Sequence, residues 1–278
     1  MDITEITDEE FNSLRDIMYE VSGVRLLPTK KPLVMARLRK RLRQLGMTRF
    51  GDYLKLVNKP ASAELEVFVN AITTNETFFY RHPEQFHFLV KKILPSFLER
   101  EEVVANPELR IWSAACSTGE EPYSLAIACQ EFFRDHPQWK ISIFASDINS
   151  SVLEFSKKAL YSERSVSNMP HHLRRIHFER VEGDPRYRKM QFQLHENIMR
   201  LVKFFQHNLL KPSPYEEMDI IFLRNAMIYF DRASKQRAVS MIEKSLGLGG
   251  YLIISMTESL QDVQSSLQYI HAGIYQKR

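Results

Sequence analysis

The sequence predicts an α/β protein: a doubly wound, mainly parallel sheet preceded by an all-α helical domain. Three observations carry the prediction. Arg110 to Cys129 reads as a short apolar strand, a tight polar turn (Cys116-Ser117-Thr118-Gly119) and a helix opening at Glu120 with Pro122 in its first turn, where a missing N–H costs nothing. From there apolar runs alternate with helical patterns nearly to the C-terminus, as in a parallel α/β sheet. Before it, residues 1 to about 70 carry helical spacing only.

In the helical part, Thr7-Asp8-Glu9-Glu10 is a capping box ahead of Phe11, Leu14, Ile17, Met18 and Val21, and Gly23 closes the helix. Leu33, Ala36, Leu38, Leu42 and Leu45 mark a second helix, ending at Gly46. A third begins at Phe50, and a fourth spans Ala63 to Ile72. The segment Thr73–Arg81 is rich in hydroxyls and aromatics and has no clear period. It leads into an amphipathic helix over Phe86–Leu98 and a charged surface connection, Glu99 to Glu108. These features predict a helical domain over 1–72, a linker and connecting helix over 73–109, and a sheet domain over 110–278.

Within the sheet domain, Ile141–Asp147 is a strand ending on an acid, followed by a helix over Ser151–Ala159. Residues 170–200 interrupt the alternation, with Gly183-Asp184-Pro185 as a turn between short strand-like runs. Val202–His207 and Asp219–Leu223 are strands, and a helix covers Arg232–Leu246. Gly249-Gly250 turns into the strand Tyr251–Ser255, and Tyr269–Tyr275 supplies a last edge strand.

A hydrophobic fraction of 44% with 26% charged residues fits a globular protein. No apolar run reaches the roughly 18–20 residues that cross a bilayer. The acidic N-terminus lacks the order of a secretion signal. The two cysteines, Cys116 and Cys129, have no metal-type spacing and point to a reduced, cytoplasmic setting. Neither reads as a nucleophile, and no metal site is expected. Net charge is only +4, yet Val21 to Gly51 holds nine Lys or Arg and no acid, so a local basic surface is expected.

The turn before Glu120 has one glycine, not the three of a dinucleotide fingerprint. A helix N-terminus ordinarily welcomes phosphate. Glu120 and Glu121 satisfy that dipole themselves and repel a pyrophosphate. A phosphate-free nucleoside with a cationic tail suits the place better, and S-adenosylmethionine is one. A well-capped helix packed on a sheet fits the same three residues. Asp147, 28 residues after Gly119, stands where such folds use an acid on ribose hydroxyls; it also suits a strand-end helix cap. Beyond the strand at 219–223, Arg224 and Asn225 fall at the cleft, with Tyr229 further along its wall. Phe230 reads as a core aromatic.

These stretches resemble the chemotaxis receptor methyltransferases, the CheR family. The matches are Thr-Thr-Asn-Glu-Thr-Phe-Phe-Tyr-Arg (73–81), Ser-Thr-Gly-Glu-Glu-Pro-Tyr-Ser (117–124), Ala-Ser-Asp-Ile-Asn (145–149), Asn-Leu-Leu (208–210) and Arg-Asn-Ala-Met-Ile-Tyr-Phe-Asp (224–231). They stand in family order along nearly the whole chain. The resemblance implies a seven-stranded S-adenosylmethionine-dependent methyltransferase sheet with a small β-subdomain at 170–200. It implies methyl transfer to glutamate carboxylates of chemoreceptors, leaving a methyl ester and S-adenosylhomocysteine. By resemblance, Asn75, Thr77 and Arg81 line the cofactor site, Arg81 near the transferred methyl. Glu121 and Asp147 hold the cofactor's polar groups, Asp147 on the ribose. Asn208 and Leu209 border adenine, Arg224 and Asn225 the methionine side, and Tyr229 faces the reaction centre. The basic second helix (Arg37, Arg39, Lys40, Arg41, Arg43) would face receptor helices, and the β-subdomain can dock a receptor tail. Two features depart from the family: Ser255-Met256-Thr257-Glu258 stands in place of Gly-His-Ser-Glu, and the 170–200 turn lacks a glycine pair.

Two other readings stand beside this one. A nucleic-acid methyltransferase would suit the basic helix, but it usually carries Asn/Asp-Pro-Pro-aromatic where this chain has Asn225-Ala226-Met227-Ile228-Tyr229. A scaffold or sensor that binds the cofactor without turnover is suggested only by the altered Ser-Met-Thr-Glu loop.

Overall fold

The computed structural model describes residues 3–99, 107–182 and 190–278. The expected turn Gly183-Asp184-Pro185 and residues 100–106 of the charged connection lie outside the described residues.

Four helices build the N-terminal bundle: α1 (Asp8–Ser22), α2 (Lys31–Gln44), α3 (Phe50–Val57) and α4 (Ala63–Ile72). The capping box closes as expected. Thr7 Oγ1 accepts from the Glu10 N–H at 3.1 Å, and the Glu10 carboxylate accepts from the Thr7 N–H at 2.9 Å. Gly23 ends α1 in the left-handed region (φ 72°), where glycine carries no Cβ penalty. The apolar faces of all four helices meet in one core that includes Leu14, Met18, Leu38, Leu42, Tyr53 and Phe68. Val34, Leu38 and Leu42 are the buried stripe of α2, while Leu33 stays 39% exposed. The buried Glu64 is held by Arg41 through two bonds, Nε at 2.8 Å and Nη2 at 2.7 Å.

After the 73–81 segment, a continuous helical stretch runs through α5 (Pro83–Phe88), a π-helical turn (Leu89–Ile93) and α6 (Leu94–Leu98). The widened turn lies just ahead of Pro95, which has no N–H to return to the preceding carbonyls. Seven strands form the main sheet: β1 (Glu108–Ala114), β2 (Lys140–Asp147), β6 (Val202–Gln206), β7 (Met218–Leu223), β8 (Leu246–Ile254), β9 (Gln268–His271) and β10 (Ile274–Gln276). Their order is β6-β2-β1-β7-β8-β10-β9. The first five are parallel and β10 is antiparallel to both neighbours. Helices α7 (Glu120–Phe132), α8 (Ser150–Lys158) and α12 (Arg232–Ser245) make crossovers. β3 (Leu160–Ser162), β5 (Met190–Leu194) and β4 (Phe178–Glu182) form a separate antiparallel sheet in that order, with the short helices α9 (Glu163–Val166), α10 (His171–His177) and α11 (Glu196–Met199) around it.

Two details differ from expectation. The single edge strand over 269–275 is a hairpin, turned at Gly273 (φ 69°), where a Cβ would meet the Ile254 carbonyl oxygen at 2.6 Å. Gly249-Gly250 lies inside β8, beside an irregularity in its pairing with β7. There a Cβ on Gly250 would sit 2.9 Å from the Met218 carbonyl oxygen.

The bundle is joined to the sheet by specific polar contacts. Asn149 Nδ2 donates to Thr73 Oγ1 at 2.7 Å and to the Asn70 carbonyl at 3.1 Å. Val24 bridges Phe230, and the Arg25 N–H donates to the Tyr229 carbonyl at 2.8 Å. Phe79 inserts edge-on between Tyr161 and Phe178, with ring centroids 4.8 and 5.2 Å away, so the 73–81 segment is also fastened to the small sheet. Among the described residues, no helix is long and apolar enough to cross a membrane.

Candidate active site

The chain leaves β1 through α7 towards β2, and leaves β7 through α12 towards β8, on the other side. The sheet therefore opens a crevice at the carboxyl ends of β1 and β7, where ligands of open α/β sheets bind. A cleft of about 410 Å³ lies there, walled also by the 73–81 segment and by the start of α2.

The turn after β1 alternates into the left-handed region at Ala115 (φ 89°), Ser117 (φ 50°) and Gly119 (φ 92°). A Cβ at Gly119 would come within 2.9 Å of Ser156 and of the Tyr161 hydroxyl, so the position admits only glycine. Four amides of this turn are already engaged. Ala115 and Cys116 donate to the Ser146 carbonyl, Ser117 to Asp147 Oδ2 at 2.9 Å, and Gly119 to the Cys116 carbonyl. They are unavailable to a pyrophosphate. Asp147 Oδ1 accepts a second bond from the Asn149 N–H at 2.9 Å. Asn149, not Asp147, caps α8. Burial raises the Asp147 pKa, against the backbone donors that stabilise its charge.

The two acids opening α7 diverge. Glu120 turns away from the cleft and accepts from Thr118 Oγ1 at 2.6 Å. Glu121 turns into it, taking Ser113 Oγ at 2.8 Å and pairing with Arg224 Nη1 at 3.2 Å. Burial pushes the Glu121 carboxyl up, opposed by the Arg224 charge; burial likewise pushes Arg224 down, opposed by Glu121. Arg224 also donates through Nη2 to the Arg81 carbonyl. Arg81 lies between two left-handed residues, Tyr80 (φ 55°) and His82 (φ 60°). Its Nη1 donates to the Glu76 carbonyl at 2.9 Å and its guanidinium stands 5.8 Å from the Phe78 ring centre.

The cleft brings together every site residue expected from the sequence: Asn75, Thr77, Arg81, Glu121, Asp147, Asn208, Leu209, Arg224, Asn225 and Tyr229 all line it. The carboxamide of Asn208 is occupied within the chain, however. Nδ2 donates to the Val21 carbonyl at 2.7 Å and Oδ1 accepts from the Leu210 N–H at 3.0 Å. Phe230 packs half-buried against the core and still reaches the cleft wall. Cys116 also lines the cleft, and burial raises its thiol pKa well above the ordinary value, which suppresses the thiolate.

The five cations expected on the basic second helix do not all reach solvent. Arg37 turns inward and donates through Nη1 to the carbonyls of Ile72 and of Thr73 (3.0 Å for the latter). Arg41 is spent on Glu64, and Arg39 is half-buried. Lys40 and Arg43 remain exposed.

The lining suits a cationic, phosphate-free nucleoside. It offers the buried Asp147 carboxylate and the largely buried Glu121 paired with Arg224, and Arg224 Nε is buried with no hydrogen-bond partner among the described residues, an unmet donor of the kind a ligand carboxylate satisfies. The sheet order and the cleft at its switch point, with the family model that covers them, give the class: an S-adenosylmethionine-dependent methyltransferase. Residues 75–275 match the family model described as CheR methyltransferase, SAM binding domain, and residues 9–73 match its all-alpha domain. The chain belongs to the CheR methyltransferase family.

Curated relatives agree along nearly the whole length. A chemotaxis protein methyltransferase of Borreliella burgdorferi is 33% identical over 276 residues, 98% of this chain and 95% of the relative. Chemotaxis protein methyltransferase 2 of Vibrio cholerae is 34% identical over 94% of this chain and 88% of its own length. The chemotaxis protein methyltransferase of Escherichia coli is 34% identical over 93% and 87% respectively.

Several residues of the site were missed by sequence reasoning. Ser113, which fixes Glu121, was signalled only as a small polar residue at a buried place in an apolar strand. Ser117 Oγ donates to the Asn75 carbonyl at 2.9 Å, joining the β1 turn to the 73–81 segment. His207 lines the cleft beside Trp112, and its pKa is lowered by burial.

Proposed function

We propose that this chain is a chemotaxis protein methyltransferase that methylates glutamate side chains of chemoreceptors, forming glutamyl methyl esters and releasing S-adenosylhomocysteine. The supporting observation is the shared cleft: Arg81 and Tyr229 stand on the same cavity as Glu121, Asp147 and Arg224. The naming of the curated relatives as chemotaxis protein methyltransferases supports the partner.

A glutamate side chain has an ordinary pKa near 4.3 and reaches the cleft as carboxylate at neutral pH. The nucleophile needs no general base. Bound S-adenosylmethionine supplies a methyl group on a sulfonium leaving group. One carboxylate oxygen forms the new bond to the methyl carbon as the carbon–sulfur bond breaks, its electron pair going to sulfur. No proton moves. What the chain contributes is alignment, which can supply on the order of 7–11 kcal/mol. Arg81 offers a guanidinium to the incoming carboxylate. A one-sided contact leaves the second oxygen free to attack. Tyr229 steers the same group through its hydroxyl. Glu121 and Asp147 hold the donor's cationic and ribose ends, and Arg224 and Asn225 its methionine end.

The test is transfer of labelled methyl from S-adenosylmethionine to a purified chemoreceptor cytoplasmic fragment, followed by mild base. A glutamyl ester releases its label as methanol. Base-stable label would point to an amine acceptor, and absence of any label alongside measurable cofactor binding would point to a scaffold.

A further inference from the structure

The loop after β8 holds an acid that no part of the mechanism uses. Glu258 does not line the cleft, yet its carboxylate gathers the backbone of the loop that does. Oε2 accepts from the Asn225 N–H and the Ser255 N–H, each at 3.0 Å, and Oε1 accepts from the Ile228 N–H at 3.3 Å. Among the described residues no cation forms an ion pair with it; backbone amides are its direct donors, and the Arg224 charge acts on it from farther off.

Those amides have consequences at the site. Asn225 is held in the left-handed region at φ 58°, which asparagine enters more readily than other residues with a Cβ. Its carboxamide is fixed by the buried Ser255, whose Oγ accepts from Asn225 Nδ2 at 3.1 Å. Ile228 belongs to the 3₁₀ turn Met227–Tyr229 that presents Tyr229 to the cleft. One carboxylate thus sets both ends of the segment 225–228. Bonds from backbone N–H groups to a carboxylate are stronger than those to a neutral acceptor. Glutamine has the same shape but would turn an N–H₂ towards a backbone N–H.

We propose that Glu258 is a positioning residue for methyl transfer: its carboxylate holds the backbone from Asn225 to Ile228, and so places the Asn225 carboxamide and the Tyr229 hydroxyl about the reacting groups. Ser255 completes the device by fixing the Asn225 side chain. The proposal rests on the reading of this cleft as the site of methyl transfer.

The test compares wild type with E258Q, S255A and M256A, the last an exposed residue of the same loop outside the cleft. Thermal unfolding, S-adenosylhomocysteine affinity by calorimetry, and kcat and KM with a receptor fragment are measured for each. In E258Q, kcat should fall at least about tenfold, equivalent to roughly 1.4 kcal/mol. Product affinity should fall by a smaller factor than kcat, through the displaced Asn225, and the folded fraction at assay temperature should be unchanged. S255A should lose kcat to a smaller degree, and M256A should match wild type.

A second readout needs no turnover. Amide exchange in segment 225–229 should be slowed by S-adenosylhomocysteine in wild type and no longer in E258Q. Equal kcat in wild type and E258Q, a kcat loss matched by equal loss in M256A, or identical exchange protection in wild type and E258Q would each overturn the proposal. A wild type that makes no ester but still shows the exchange difference would overturn the methyl-transfer reading and leave the positioning role of Glu258 standing on its own measurement.

Discussion

Arg224 Nη1 lies 3.2 Å from Glu121 Oε2, with 2% and 14% of the two side chains left exposed. The pair closes the floor of the cleft between β1 and β7. The same guanidinium holds the Arg81 carbonyl, so one side chain links the cofactor end of the site to the residue proposed to meet the acceptor. Replacing Arg224 by alanine leaves the Glu121 charge buried and unpaired, which typically costs about 3–5 kcal/mol. R224A should lower the unfolding midpoint by on the order of 5–10 °C and abolish calorimetric binding of S-adenosylhomocysteine. R224K should rescue neither, because an ammonium cannot serve Glu121 and the Arg81 carbonyl in the same fork geometry.

Under the proposed function, Arg81 and Asp147 divide the labour differently. Among the described residues the Arg81 side chain bonds within its own segment, to the Glu76 carbonyl, whereas Asp147 ties the β1 turn to the end of β2. R81A should cut kcat by about 100-fold or more, about 2.7 kcal/mol, while product affinity stays within a few-fold. D147A should instead weaken product binding strongly. Equal effects of the two changes on affinity and on kcat would undo this assignment.

The Arg41–Glu64 pair gives the bundle a signature in acid. The hydrogen bonds from Arg41 hold the Glu64 carboxyl below its ordinary value of 4.5. A depressed carboxylate contributes stability that is complete above the unfolded-state value and is lost as pH falls through the folded-state value. Acidification below about pH 4.5 should therefore destabilise the wild type. E64Q should begin less stable at neutral pH, by on the order of 1–3 kcal/mol for a half-buried pair, and should lose less on acidification. Thermal midpoints between about pH 3 and 7 in low salt check both parts; parallel curves would remove the pair from the acid response.

Local chemistry was the legible part of this chain. The capping box at Thr7, the stop at Gly23 and the start of α7 at Glu120 each depend on residues a few positions apart, and each stands where it was expected. The parallel strands were legible as apolar runs because both of their faces are covered. The hairpin at Gly273 was hidden because Tyr269 to Tyr275 keeps an unbroken strand-like composition around one glycine. The reach of Glu258 to Asn225 spans 33 residues, and that of Arg37 to Ile72 spans 35. No pattern of charge spacing encodes where a long flexible side chain ends once the chain has folded. The residues assembled at the cleft came from separate motifs, and only the strand order explains why they meet.

The inward turn of Arg37 changes what the basic second helix can present. Lys40 and Arg43 are its exposed cations, while Arg37 tightens the entry to the 73–81 segment through two carbonyls and through Thr74 Oγ1 at 3.4 Å. Reversing both exposed charges, K40E with R43E, should weaken association with an acidic receptor fragment by about tenfold or more at low ionic strength. The difference should shrink as salt rises, because exposed charges are screened beyond roughly 8–10 Å in 0.1–0.15 M salt. Product affinity should be unchanged, since neither residue lines the cleft. R37A should do the opposite, lowering product affinity and the unfolding midpoint while leaving the salt dependence of receptor association nearly as it was. If R37A and the charge reversal instead gave the same salt-sensitive loss, Arg37 would be acting on the partner rather than on the 73–81 segment, and the division of α2 into an inner and an outer set of cations would fall.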